Sequence, residues 1–142
     1  MHNEYMKALT IKQPWAWAII MGYKNIENRK NWTNVRGTIL IHAGKQLDPL
    51  GFQFLWEEGL VSKLPKPPLP QGAILGTVRI ADCVKGHDSK WARSGHWHWV
   101  LRRPTEFRSP IECTGAQGFF TPDVSQRSLA QANRYAIRHR QR

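Results

Sequence analysis

The pattern of apolar and polar side chains along the chain predicts seven β-strands. The predicted strands cover residues 6–12, 24–30, 37–43, 72–84, 96–101, 106–111 and 115–120, and the short links between them favour antiparallel pairing. Capping residues followed by apolar positions at helical spacing predict helices over about 13–22, 48–59 and 125–140. The proline-rich residues 63–72 predict a rigid surface connection, with an SH3-type ligand as the alternative. The fold class that follows is α+β.

The segment after the first predicted helix carries the candidate site. Residues 15–21 are apolar on every side, so this helix is predicted to be buried, and Gly22 can end it. The chain then places four hydrogen-bonding or charged side chains within six residues, namely Lys24, Glu27, Asn28 and Arg29. In an extended segment Glu27 and Arg29 share one face and can form an ion pair. Because charges beside a buried helix tend to be part-buried and paired, we expect a polar cleft here rather than a solvated surface pair.

Several short motifs resemble those of one known family. They are Gln13-Pro14-Trp15-Ala16, Gly22-x-Lys24-x-x-Glu27-x-Arg29, Trp32, Arg36-Gly37 leading into 39–43, the strand 72–84 and Gly115-x-Gln117-Gly118-Phe119-Phe120. Over about residues 7–121 the chain resembles an ASCH domain (activating signal cointegrator homology), of the PUA-like superfamily. The resemblance implies a small PUA-like β-barrel with helices between its strands. With the length and pattern of the chain, it predicts one domain over 1–142: a mostly antiparallel barrel core over about 7–121, flanked by helices, and a basic C-terminal helix over 124–142. It also implies an association with RNA and modified nucleotides.

The charge balance adds a partner to this picture. The 142 residues carry 21 Lys and Arg against 10 Asp and Glu, a net charge of +11. Nucleic acid is the commonest polyanion for such a protein, and general solubility charge is the alternative. No apolar run is long enough to cross a bilayer, and the first four residues lack the layout of a secretory signal. We therefore expect a cytoplasmic monomer that binds single-stranded RNA or a modified nucleoside and no membrane.

The sequence gives little support for a metal or another cofactor. Cys83 and Cys113 are the only cysteines, which excludes a zinc ribbon and favours two free thiols. The pair His96-x-His98 could begin a metal site, but no third ligand follows at a suitable spacing. No Gly-rich phosphate loop or nucleophile motif is present. We expect neither a metal nor a cofactor.

The candidate site residues fall into three groups. Lys24, Glu27 and His98 are the acid–base candidates, and Trp15, Asn28, Trp32 and His42 are expected to line the cleft. Candidate nucleic-acid contacts are Arg29, Arg36, Lys45, Lys90, Trp91, Arg93, Arg127, Arg134 and Arg138. Trp91 is expected to be the exposed platform for a base, whereas Trp15, Trp17 and Trp56 are expected in the core. On the terminal helix, Arg127, Arg134, Arg138 and Arg142 form one stripe, either a phosphate-tracking face or a solvated one.

These observations favour binding of RNA or a modified nucleotide in the polar cleft. A metal-independent ribonuclease or nucleoside-processing hydrolase is the first alternative, since the resemblance extends to relatives that hydrolyse single-stranded RNA. It also extends to a small bacterial group that deacetylates acetylcytidine, and the resemblance implies a threonine nucleophile three residues after the lysine in that group. This chain has Glu27 there, which disfavours the amidohydrolase activity. A protein-interaction domain of a transcription or translation regulator is the second alternative.

Overall fold

A curved mixed sheet, closed into a half-barrel, forms the framework of the protein in a computed structural model. The structure describes residues 6–142; residues 1–4, for which the sequence predicts no secretory signal, lie outside this range. The strands are β1 (Ala8–Gln13), β2 (Ile26–Arg29), β3 (Gly37–Leu47), β4 (Ala73–Val84), β5 (Trp97–Glu112), β6 (Phe119–Phe120) and β7 (Ile137–Arg138). The helices are α1 (Trp15–Ile20), α2 (Pro49–Glu57) and α3 (Gln126–Arg134), with a 3₁₀ turn at Val61–Lys63. The predicted α+β class and the PUA-like half-barrel with three flanking helices are confirmed.

Hydrogen bonding joins the strands in the order β2-β5-β4-β3-β1-β6. All neighbouring pairs are antiparallel except β1 and β3, which run parallel because the chain crosses over through α1 and β2 before β3 begins. The free edge of β5 pairs twice, with β2 at Trp97–Val100 and with β7 at Thr105–Glu106. The prediction of mostly antiparallel pairing is therefore correct.

The strand β5 is one continuous element where the sequence predicts two. Arg102 pairs with Arg79, and Thr105 pairs with Thr77, so β5 carries one extra residue between these two pairs. Arg103 takes the positive φ of 53° that this bulge requires. The bulge also accommodates Pro104, whose carbonyl accepts a hydrogen bond from the His139 amide at 3.0 Å. A proline that would end an isolated strand is tolerated here because the ladder is already interrupted.

The C-terminal helix is shorter than predicted. α3 begins after the Ser125 cap and ends at Arg134, and the chain then forms β7 against the open edge of β5. His139 Nε2 lies 2.9 Å from Glu106 Oε1 on β5, which fixes this return. The predicted arginine stripe is therefore wrong as a helical face: Arg138 lies in β7, and Arg142 Nε donates to the Met21 carbonyl at 2.8 Å. The open strand edge supplies backbone partners that helical periodicity does not reveal.

The helix α1 packs against the sheet, where it contacts β1, β3, β4 and β5. Ala16 to Ile20 are all buried, as its apolar sequence predicts. The side-chain oxygen of Gln13 accepts from the Trp17 amide at 2.8 Å, and its nitrogen donates to the Pro70 carbonyl at 3.0 Å. The same glutamine thus caps α1 and holds the proline-rich segment against the domain. None of the helices described is both long and apolar enough to cross a bilayer.

The helix α2 packs on the domain through a narrower face than predicted. Gly51 and Leu55 are buried, one helical turn apart, whereas Trp56 is 72% exposed. A Cβ at Gly51 would lie 2.8 Å from Cδ of Pro14, so the two segments approach closely here. The prediction that Trp56 lies in the core is wrong. Because Gly51 makes the close approach to the domain, the face of α2 that carries Trp56 points outward.

Candidate functional site

The turn that follows α1 delivers the polar residues to one side of the sheet. Gly22 ends the helix with φ of 84°, and the amides of Tyr23 and Lys24 both donate to the Ala18 carbonyl at 2.9 Å. The next residues form β2, in which Glu27 pairs with Trp99 of β5. Two rigid elements therefore flank a turn only a few residues long, so Lys24 and Glu27 are held in fixed positions relative to each other.

A cleft of about 700 Å³ lies beside this turn. It is bounded by β1, β2, the start of α2 and the loop before β5, which comprises residues 85–96. This volume falls within the range of small-molecule sites in proteins. Its floor is polar, its wall is aromatic and its rim is cationic. Eight of the residues singled out from the sequence line it: Trp15, Lys24, Glu27, Asn28, Arg29, Lys90, Trp91 and Arg93.

The polar floor consists of Glu27 between two cations. Its Oε1 lies 3.5 Å from Nζ of Lys24, and its Oε2 accepts from Nε of Arg29 at 2.8 Å. Lys24 also donates to the Ile26 carbonyl, and Arg29 reaches the Thr10 carbonyl at 3.3 Å. The predicted pairing of Glu27 and Arg29 therefore exists. Lys24 and Glu27 are 5% and 8% exposed, whereas the Arg29 side chain is 30% exposed.

Burial lowers the pKa of Lys24 below its ordinary value of 10.5. Desolvation is the main cause, because removing the ammonium from water disfavours its charged form. Glu27 opposes this effect through its negative charge and its hydrogen bond, and Arg29 adds a smaller lowering. A lysine of this kind can exchange a proton closer to neutrality than an exposed one.

The aromatic wall is built from three rings. Trp15 meets Trp91 edge-on at 6.2 Å between ring centroids, and Phe54 of α2 lies 5.9 Å from Trp15 and 5.1 Å from Trp91. The Trp15 indole N–H donates to Oδ2 of Asp48 at 2.7 Å, while Oδ1 of the same carboxylate caps α2 through the Leu50 amide. Asp48 therefore holds both Trp15 and the start of α2, which carries Phe54, in fixed positions.

Trp91 is not the exposed platform that the sequence predicts. It is only 7% exposed, because Trp15 and Phe54 cover its ring, although part of it still faces the cleft. Trp17 is buried as predicted, whereas Trp15 keeps an intermediate exposure at the cleft. Among these residues Trp15 is the better placed surface for an incoming base.

Asn28 attaches the loop before β5 to the cleft. Its Nδ2 donates to the Trp91 carbonyl at 3.0 Å, and its Oδ1 accepts from the Arg93 amide at 2.8 Å. The side-chain amide of Asn28 thus both donates to and accepts from the loop backbone, as the backbone of a neighbouring strand would. These two hydrogen bonds position Trp91 in the wall and Arg93 at the rim.

The structure does not place His98 in the cleft. Its Nδ1 accepts from the His87 amide at 3.1 Å, and its Nε2 lies 2.7 Å from the Arg93 carbonyl. Because an amide only donates and a carbonyl only accepts, this network assigns the neutral tautomer with the proton on Nε2. His98 is 3% exposed and supports the loop rather than facing a ligand, so its geometry does not support the predicted acid–base role.

The rim is strongly cationic. Lys12, Lys30, Lys90 and Arg93 line it, and with Lys24 and Arg29 the cleft contains six cations against the two carboxylates of Glu27 and Asp48. Lys90 is partly neutralised, since its Nζ lies 2.7 Å from Oε1 of Glu58. The field in the cleft therefore favours an anionic ligand.

Seven further predicted residues lie outside this cleft, including Trp32, which the sequence predicts to line it. Arg36 sits over the exposed Trp32 ring at 5.9 Å and donates to the Thr33 carbonyl. Arg127, Arg134 and Arg138 are on α3 and β7. His42 and Lys45 line a neighbouring groove instead. The cleft residues that the sequence did not single out include Lys12, Lys30, Asp48 and Phe54.

The side chains of the described part of the chain do not form a recognisable metal centre. Within residues 6–142 no three His, Cys, Asp or Glu side chains gather in a way that could hold a metal ion. His96 and His98 diverge in their contacts: His96 faces the cleft, whereas both nitrogens of His98 are engaged by the loop backbone. Cys83 and Cys113 are both free, as expected.

Comparison with known families places this geometry in context. The model of the ASCH domain matches residues 9–119, which include α1, the polar floor and the whole loop before β5. A comparison with curated proteins finds no match. ASCH domains belong to the PUA-like superfamily and are generally RNA-binding. Since the match covers well over half of the 142 residues, the chain belongs to the ASCH domain family.

Proposed function

We propose that the cleft binds single-stranded RNA, or a modified nucleotide within it, with one base inside the cleft. The observation that carries the proposal is the conjunction of an aromatic wall, a cationic rim and a polar floor in one cavity of about 700 Å³. Each of these surfaces matches one part of a nucleotide. The base requires an apolar face and a polar edge, and the phosphate requires cations.

The aromatic wall suits a base that has left its stack. Trp15 is anchored through its N–H to Asp48, so its ring does not have to be ordered by the ligand. Stacking of a base on an aromatic ring contributes about 1–3 kcal/mol and tolerates any sequence. A base inside a duplex cannot reach a recessed wall of this kind, so an unpaired strand is the favoured substrate class.

The polar floor suits the edge of that base. Glu27 offers carboxylate oxygens that accept from an exocyclic amine, and Lys24 offers a donor to a base carbonyl. Both groups are fixed by contacts with Arg29 and the Ile26 carbonyl. A site whose buried polar groups are fixed in advance discriminates against ligands that leave those groups unpaired.

Equilibrium binding of a labelled single-stranded oligonucleotide tests this proposal. We expect binding that weakens as salt rises, since phosphate contacts release counterions, and that is stronger than binding to an acidic polypeptide of equal charge. Trp15→Ala should weaken the RNA complex by about 1–3 kcal/mol. Trp56→Ala, which removes a 72% exposed indole outside the cleft, is the matched control. Equal affinity for the acidic polypeptide, with no effect of Trp15→Ala, would contradict the proposal.

Cleavage of the bound RNA by its own 2′-hydroxyl, a metal-independent ribonuclease activity, is the second candidate, and one observation favours it. Lys24 combines a lowered pKa with a fixed position in the cleft. Its neutral amine can take the proton of a ribose 2′-hydroxyl, whose oxygen then attacks the adjacent phosphorus. The 5′-oxygen leaves with a proton from water, and the products are a 2′,3′-cyclic phosphate and a 5′-hydroxyl.

Incubation of labelled RNA in EDTA separates the two functions. Cleavage by the wild type that is lost in Lys24→Ala, and absent with the 2′-deoxy oligonucleotide, would establish the hydrolase. Intact RNA that remains bound would leave the protein as a binding module. The deoxy substrate is a sharp control because it retains every phosphate and base but lacks the attacking oxygen.

A further inference from the structure

A second groove, of about 660 Å³, adjoins the cleft. Thr10, Lys12 and Arg29 line both cavities. Arg29 forms the boundary, since its guanidinium is held by Glu27 on one side and by the Thr10 carbonyl on the other. The two cavities therefore adjoin at β1 and Arg29, so two neighbouring parts of one ligand can occupy them.

The chemistry of the second groove differs from that of the first. Lys12, Arg29 and Lys45 line it, and among the described residues no carboxylate and no Trp, Tyr or Phe does so. Within residues 6–142 neither Lys12 nor Lys45 takes part in an ion pair. The groove lacks a stacking surface but has uncompensated positive charge, which fits a phosphate group rather than a base.

An irregularity in β3 places Lys45 in this groove. Ile11 pairs with Ala43, but the next paired residue, Gln13, faces Leu47, so three residues of β3 oppose one residue of β1. Lys45 lies in this bulge and Lys12 lies opposite it. A Cβ on Gly72 would lie 3.3 Å from Cε of Lys45. The stem of Lys45 therefore follows the bare backbone at Gly72, and this packing limits where its ammonium can go.

The far side of the groove is also a built structure. The His42 ring forms two hydrogen bonds. Its Nε2 lies 2.8 Å from the Cys113 carbonyl, and its Nδ1 lies 3.1 Å from Oγ1 of Thr10. A Cβ on Gly115 would lie only 2.7 Å from Cε1 of His42. The segment 114–118 thus packs against the His42 ring at Gly115, where only glycine fits. His42, which the sequence places in the cleft, instead fixes this second wall.

We propose that the second groove binds the phosphate next to the nucleotide whose base occupies the cleft. The inference rests on the proposed function, and it defines the ligand further: an RNA segment of at least two nucleotides, rather than a free nucleoside or mononucleotide. Arg29 lies at the junction, and Lys12 and Lys45 provide the charge on either side of the groove. Because the two cavities adjoin at Thr10, Lys12 and Arg29, one RNA strand can occupy both.

Affinities for a nucleoside monophosphate and for a trinucleotide of the same base test the proposal. The wild type should bind the trinucleotide more tightly and with the steeper salt dependence. Lys45→Ala should abolish most of this advantage and reduce the salt slope for the trinucleotide by about 0.7. It should leave the affinity for the monophosphate unchanged. Lys45→Glu should weaken the trinucleotide complex further, and Lys66→Ala, another exposed lysine, is the control.

The outcomes separate this inference from the function on which it rests. If Lys45→Ala and Lys45→Glu bind the trinucleotide as the wild type does, while Trp15→Ala still weakens it, the groove does not bind the phosphate and the cleft proposal stands. If neither ligand binds the wild type, the proposed function fails and this inference fails with it. Lys45 is exposed, so circular dichroism should report an unchanged fold for both variants.

Discussion

Nζ of Lys24 and Oε1 of Glu27 lie 3.5 Å apart at the floor of a cleft, and both side chains are largely withdrawn from solvent. Such a pair contributes little to folding, because the cost of removing two charges from water is about as large as their attraction. An apolar pair of similar volume would pack there at least as well. The charges are therefore better explained by the proposed ligand than by stability, and their placement beside the aromatic wall agrees with the proposed site.

Replacement of Glu27 tests how the two cations depend on it. In Glu27→Gln the charges of Lys24 and Arg29 lose their shared partner, so we expect a loss of about 3 kcal/mol in the free energy of unfolding. Lys24→Met should partly restore stability when it is combined with Glu27→Gln, because only one cation then remains. Urea denaturation of the wild type, both single variants and the double variant measures this coupling. Additive effects would show that the two residues are independent.

The pH dependence of stability should reveal the buried lysine. The folded-state pKa of Lys24 lies below its ordinary value of 10.5, so between these two values the unfolded chain binds more protons. The free energy of unfolding therefore rises with pH in this window, as the penalty for burying the charge disappears. Lys24→Met lacks this contribution. Its stability relative to the wild type should be highest near pH 7 and fall as pH rises towards 10.5.

Urea denaturation at several pH values between 7 and 10 checks this prediction. The comparison of Lys24→Met with the wild type cancels the groups that both proteins share. Lys63→Met, which removes one exposed lysine, is the control. A stability difference that stays constant across this range would show that Lys24 titrates in the folded protein as it does in the unfolded chain.

Trp15 should have two separable roles. Trp15→Phe keeps an aromatic ring in the wall but loses the N–H bond to Asp48, so we expect a stability loss of about 1 kcal/mol and an RNA affinity close to that of the wild type. Trp15→Ala should lower both stability and affinity. Thermal denaturation and RNA binding of the two variants distinguish these effects. An affinity that falls equally in both variants would assign recognition to the indole N–H rather than to stacking.

Local sequence pattern was sufficient to predict the floor of the site. The apolar run of α1, the glycine that ends it and the alternation in β2 bring Lys24, Glu27 and Arg29 together through contacts within a few residues. The burial of Trp91 could not be predicted in this way, because it depends on Trp15 and on Phe54 of α2, which are far away in sequence.

The same limit explains the errors in the strands and at the C-terminus. Pro104 indicates a break in an isolated strand, but its neighbours pair with β4 and the bulge at Arg103 absorbs it. Arg138 fits a helical stripe in the sequence, yet in the structure it pairs with Thr105 at the open edge of β5 and lies in β7. Asp48 was recognisable as a helix cap, whereas its second bond to Trp15 depends on the tertiary position of α2. Each error arises where a distant element overrides a local preference.

Asn28 provides the most selective test of how the loop before β5 supports the cleft. Its amide donates to the Trp91 carbonyl at 3.0 Å and accepts from the Arg93 amide at 2.8 Å. Asn28→Asp preserves the shape and the acceptor but replaces the donor with an oxygen that repels the carbonyl, so we expect a loss of about 1–3 kcal/mol. Amide hydrogen exchange should increase at residues 91–95, and RNA affinity should fall even though Asn28→Asp removes no cation or aromatic ring. Asn34→Asp, at an exposed position away from the cleft, adds the same charge and controls for general electrostatics. If the two variants lose RNA affinity equally and residues 91–95 exchange as in the wild type, the added charge, and not the position of the loop, explains the effect.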